Sequence, residues 1–147
     1  MIAICHRIGI DAPQSQVQQA LATTAGVASW WTDDVVGDDT VGGKLQFYFG
    51  RPEPRLVVEV MDVSDDRVGW RCLEGPDEWV GTTITFELSE ADGETVVLFT
   101  HDGWREAVPF LGHCSTKWAY FLLGMKAMFE GGRATPFPGD LKISSWG

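Results

Sequence analysis

The chain has 147 residues, 44% of them hydrophobic and 22% charged, and a chain of this length buries roughly 68% of its extended-state surface on folding. That composition excludes a disordered, collagen-like or disulfide-scaffold protein and fits one domain with one core. Eleven Lys and Arg against twenty-one Asp and Glu leave a formal net charge of −10, without the positive footprint that nucleic-acid binding requires.

In chain order, Ile2, Ile4, His6, Ile8 and Ile10 share one face at period two, which predicts a first strand with a buried side on which His6 is the polar member. Pro13 opens a helical stretch carrying Val17, Ala20 and Leu21 and closing near Gly26, and Val27 to Trp31 is expected as a second short helix. Residues 33–43, rich in Asp and Gly, read as a loop with at most a short strand.

Strands are then expected over Lys44–Phe49, Leu56–Val63, Arg67–Leu73, Trp79–Leu88 and Glu94–Asp102, separated by turn chemistry short enough to make neighbours antiparallel. A loop over Ala91 to Glu94 sets Leu88 opposite Val97, Phe86 opposite Phe99 and Ile84 opposite His101, so His101 joins the apolar face. Closing the preceding hairpin at Asp65-Asp66 sets Met61 opposite Trp70 and Glu59 opposite Cys72, which turns Glu59 inward. Both assignments depend on register, because a slip of one residue reverses the face.

A long helix is expected from Ser115, as N-cap, to Glu130, with Gly131-Gly132 as its stop. Trp118, Phe121, Leu122, Met125, Met128 and Phe129 form a broad apolar stripe that must lie on something. At about 1.5 Å per residue the helix crosses five or six strands spaced about 4.8 Å apart. The organisation expected is a single domain over residues 1–131 and a tail over 132–147, too apolar for a linker, that docks on the domain or on a neighbouring copy. Helices segregated on an antiparallel sheet define an α+β class.

These residues resemble a known family. Ile8-Gly9-Ile10-Asp11-Ala12-Pro13, Trp30-Trp31, Gly42-Gly43-Lys44-Leu45, Trp79-Val80-Gly81-Thr82 through Leu88, Thr100-His101-Asp102-Gly103-Trp104 and Trp118 through Gly131 are similar, in order and spacing, to the START-like, polyketide-cyclase/dehydrase superfamily. Within it the chain most resembles small stand-alone proteins related to the activators of the ninety-kilodalton heat-shock protein ATPase. Gln18 departs from the pattern, where members often carry Trp. The resemblance implies a helix-grip fold, a curved antiparallel sheet of six or seven strands wrapped around the C-terminal helix with an apolar cavity between. Lipid and hormone carriers, cyclases and chaperone regulators share that fold, so it constrains function only loosely.

Trp31, Trp70, Phe86, Phe99, Trp104, Trp118, Leu122 and Met125 are the expected apolar lining of a ligand cavity, and each has ordinary core packing as its alternative. Glu59 and His101, with His6, are the polar groups placed on apolar faces; Glu59 and His101 are the candidates for acid/base catalysis, with hydrogen-bonded core residues as the alternative. Adjacent His113-Cys114 diverge on a helix, Asp33-Asp34 and Asp38-Asp39 lack EF-hand spacing, and Cys5, Cys72 and Cys114 form no C-x-x-C pair, so no metal, disulfide framework or cofactor is expected. His6 and Arg7 interrupt any signal-peptide core, and the longest apolar run, Trp118 to Met125, is too short to span a membrane. The expectation is a cytoplasmic protein that binds a small hydrophobic molecule. A cyclase or dehydratase using the same cavity and a protein-binding module are the alternatives, and a homodimer through the tail is open.

Overall fold

The computed structural model describes residues 2–147. Strand β1 (Ile2–Ile10) leads into helices α1 (Gln14–Ala22) and α2 (Thr24–Ala28), followed by β2 (Val35–Gly37), β3 (Lys44–Phe47), β4 (Leu56–Ser64), β5 (Arg67–Glu74), β6 (Thr83–Ala91), β7 (Glu94–Trp104) and the long helix α3 (Pro109–Phe129). The strands form one antiparallel sheet in the order β1-β7-β6-β5-β4-β3-β2, with β1 brought back to the edge beside β7. The curved sheet grips α3, and the expected helix-grip architecture is the one observed, with seven strands.

Local chemistry explains most boundaries. Asp92 and Gly93, both at positive φ, form the tight turn between β6 and β7, the conformation that fits the strands' right-handed twist. The pairs Leu88–Val97, Phe86–Phe99 and Ile84–His101 lie opposite one another as the sequence predicts. The first helical stretch breaks at Thr23, three residues before Gly26, because the Thr23 hydroxyl accepts the Gly26 N–H at 2.9 Å and caps α2. Strand β6 starts at Thr83 rather than Trp79, since residues 76–82 turn back on themselves through Trp79 N–H to Pro76 O at 2.8 Å.

Helix α3 begins six residues before the expected Ser115. Pro109 occupies its first turn, where a missing N–H costs nothing, and extended Val108 precedes it. Ser115 lies inside the helix, where its carbonyl oxygen meets His6 Nε2 at 3.1 Å. The stop falls where Gly131-Gly132 predicts: Gly131 takes a positive φ and Gly132 N–H returns to Ala127 O at 2.8 Å, a Schellman closure.

The β4–β5 pairing corrects the expected register. A bulge between Val60 and Asp62 sets Val60 opposite Trp70 and Val58 opposite Cys72. An inserted residue reverses the face of everything beyond it, so Val58 and Val60 are buried and Met61 is 48% exposed. Glu59 therefore lies on the outer face, opposite Arg71 of β5 and Lys44 of β3.

Candidate functional site

Helix α3 runs alongside β1, with His6 at Ser115 O, Lys126 Nζ at Gly9 O (2.6 Å) and Glu130 Oε2 accepting the Asp11 N–H at 2.8 Å. Against that side the sheet and helix close completely. Trp70, Phe86, Phe99, Leu122 and Met125 are almost wholly buried, and Phe86 contacts Trp70 and Phe99 at centroid distances of 5.3 and 5.4 Å. Such aromatic contacts each add about 0.5–1.5 kcal/mol beyond area burial.

His101 is sealed into this core at 0% exposure. The Thr82 hydroxyl donates to Trp79 O at 2.5 Å, so His101 Nε2–H donates to Thr82 Oγ1 at 2.8 Å. The other ring nitrogen, Nδ1, accepts the Trp118 indole N–H at 3.2 Å. Burial pushes the imidazole down to about 3, so the ring is neutral at physiological pH with both nitrogens engaged. Trp79 and Trp104 flank it edge-on at 4.5 and 5.3 Å.

The open space lies elsewhere, beside the N-terminal half of α3. A cleft of about 520 Å³ is bounded by the β3–β4 connection, residues 76–79, α3 and the tail, within the range of small-molecule sites. Phe110, His113, Cys114, Lys117, Trp118 and Phe121 recur along one face of α3 to form one wall. Trp31 and Trp79 contribute the floor, Trp31 packing on Trp118 at 4.8 Å and Trp79 stacking on Trp118 at 5.9 Å. Phe137 of the tail closes the far side against Phe49 at 5.2 Å, anchored by backbone bonds to Trp31 and Asp33. Trp146 meets Phe110 at 5.5 Å and His113 at 5.8 Å.

Polar as well as apolar side chains border the cleft. The Trp79 indole is 7% exposed and its N–H has no oxygen or nitrogen acceptor. The Cys114 sulfur beside it is a weak acceptor, and burial, outweighing that N–H, pushes its thiol up to about 12. Lys117 pairs with Asp140 at 2.5 Å and donates to Leu141 O at 2.8 Å, fastening the tail to α3. The Ser144 hydroxyl bonds His113 Nδ1 at 2.7 Å, and burial, then Lys117, holds that imidazole below its ordinary value. Among the described residues no three His, Cys, Asp or Glu side chains converge as a metal site would need.

Of the expected lining, only Trp31 and Trp118 border the cleft; Trp70, Phe86, Phe99, His101, Trp104, Leu122 and Met125 lie in the closed core, and Glu59 on the opposite face of the sheet. Sequence reasoning missed Phe49, Arg55, Trp79, Lys117 and Phe137. A helix started at Pro109 would have disclosed the Phe110, His113, Lys117, Phe121 face. Phe137 had no such signal, because it reaches the cleft only through the course of the tail.

Residues 11–130 match the family model described as "Activator of Hsp90 ATPase homolog 1-like protein". The chain is similar to the Aha1 dimer from Colwellia psychrerythraea, at 37% identity and a TM-score of 0.82, over 91% of this chain and 100% of that one. Two further solved structures share the fold at 18% identity and a TM-score of 0.74. Protein SSP2350 from Staphylococcus saprophyticus aligns over 90% of this chain and 95% of its own, and CalU16 from Micromonospora echinospora over 90% and 76%. No curated protein matches the chain.

Proposed function

This chain belongs to the Activator of Hsp90 ATPase homolog 1-like family, and on that footing we propose that it binds a small hydrophobic molecule in the cleft between the sheet, the N-terminal half of α3 and the tail. The observation that carries this reading is the aromatic cleft of about 520 Å³, open although the rest of the sheet–helix interface is closed. Trp79 contributes its indole ring to the floor of the cleft, stacked on Trp118, as a broad aromatic contact for an apolar ligand. A cyclase or dehydratase would need an acid/base group reaching the same space. The two candidates expected from the sequence do not reach it, since Glu59 faces away and both His101 nitrogens are engaged, and the imidazole that borders the cleft is His113, bonded through Nδ1 to Ser144.

Among the described residues no helix is long and apolar enough to cross a membrane, and three unpaired cysteines suit a reducing cytoplasm. A second reading rests on the tail, where Leu141 and Trp146 are 62% and 58% exposed and offer a surface to a protein partner or to a second copy; the Colwellia relative is a dimer.

Native mass spectrometry of freshly purified protein, followed by a thermal-shift screen of apolar compounds, tests the first reading. A ligand at about 100 times its Kd adds roughly 2.7 kcal/mol to stability. A co-purified mass or a reproducible shift abolished by Trp79→Ala supports it. A bare mass and no shift across the screen overturn it in favour of the protein-binding surface.

A further inference from the structure

We propose that the ligand of this cleft is an anionic amphipath, an aromatic or aliphatic body carrying an oxyanion such as a carboxylate or sulfonate; the proposal rests on the reading of the cleft as a small-molecule site. The chain carries only eleven Lys and Arg and a net charge of −10. Four of those eleven, Arg51, Arg55, Lys117 and Lys142, border this one cleft. The one carboxylate side chain bordering it among the described residues is Asp140, held by Lys117; the backbone oxygen of Gly147 accepts the Ile143 N–H at 2.7 Å. Glu78 lies near enough to act on the Cys114 thiol but does not line the cleft.

Arg51, Arg55 and Lys142 are exposed and, among the described residues, have no carboxylate within ion-pair reach, although acidic side chains outnumber basic ones nearly two to one. The backbone adds to this polarity. Phe110 and His113 lie in the first turns of α3, whose N-terminus has no side-chain cap and no acidic residue, so the positive end of the helix dipole also borders the cleft. An apolar floor beneath a cationic rim orients an amphipath with its body against Trp31, Trp79 and Trp118 and its charge at the mouth. A neutral ligand of the same shape gains the floor and leaves the rim unused.

A matched pair of dyes separates the two contributions. N-phenyl-1-naphthylamine and 8-anilinonaphthalene-1-sulfonate share a ring skeleton and differ by the sulfonate. Titrated by fluorescence into the full chain at low salt, the sulfonate is expected to bind about tenfold tighter, the sum of several exposed charge contacts. The two dyes are expected to compete for one site. The advantage is expected to vanish in about 0.5 M NaCl, where screening is strong, and in the triple variant Arg51→Gln, Arg55→Gln, Lys142→Gln, with binding of the neutral dye unchanged. The salt series on the unaltered protein keeps the test decisive should the variant fail to fold. Equal affinities, or an advantage that survives both salt and substitution, overturn the anionic assignment and leave the small-molecule site standing. Failure of both dyes to bind overturns the two readings together.

Discussion

The two halves of the sheet–helix interface are built from the same kinds of side chain and end differently. Where α3 lies along β1 and faces the long strands β7 and β6, those strands are nine to eleven residues long, and Phe86, Phe99, Leu122 and Met125 are each almost wholly buried. Around the N-terminal half of α3 the far edge of the sheet consists of β2 and β3, three and four residues long, which are too short to cover it. The tail is laid across that opening instead, and a cleft remains beneath it. An aromatic-rich stripe is therefore no sign of a cavity by itself; the length of the strand facing it decides whether it becomes wall or core.

Substitution on either side measures this contrast. Phe86→Ala in the closed half is expected to cost about 3–5 kcal/mol, the penalty of an unrelieved core cavity, whereas Phe110→Ala in the cleft wall is expected to cost less than about half as much. Urea unfolding of the two variants checks this, and equal losses would mean that the cleft half is packed as tightly as the core.

The next largest effect comes from His101 at the border of the two regions. Its folded-state value of about 3 lies below the ordinary 6.5, so as pH falls below about 6.5 the unfolded chain takes up a proton that the native state refuses. Stability is complete above that pH and declines by up to about 1.4 kcal/mol per pH unit towards pH 3. His113, also held below its ordinary value, adds a smaller slope of the same sign. Unfolding curves at pH 7.5, 6 and 5 should show the wild-type slope substantially reduced in His101→Gln. An unchanged slope would place the buried proton-refusing group elsewhere.

Removing residues 141–147 withdraws Trp146 from Phe110 and Ser144 from His113. The expected stability change is below about 1 kcal/mol, as for an exposed terminal segment, with a several-fold faster release of N-phenyl-1-naphthylamine in stopped-flow fluorescence. Unaltered release would show that these residues do not gate the cleft. Smallest of all, Glu59→Gln should change stability by no more than about 0.5 kcal/mol and leave dye affinity untouched, since Glu59 stands on the outer face between Lys44 and Arg71.

What was legible in the sequence was the part set by local periodicity and turn chemistry. The alternating isoleucines of β1, the β6–β7 register and the glycine stop of α3 follow from interactions within a few residues, and the resemblance carried by the scattered Trp, Gly and Asp motifs led to the right fold and family. Position on the inner face also identified His101 as a buried polar residue. Tertiary structure alone decided what those residues do. A one-residue bulge in β4 turned Glu59 outward, because side-chain facing has a period of two and no local signal marks the insertion. Helix α3 extended back to Pro109, and the tail returned to set Phe137 against Phe49 and Trp31, joining segments about 90 to 105 residues apart in sequence. Whether an aromatic side chain becomes sealed core or cleft wall depends on which distant segment covers it, and that coverage exists only once the chain has folded.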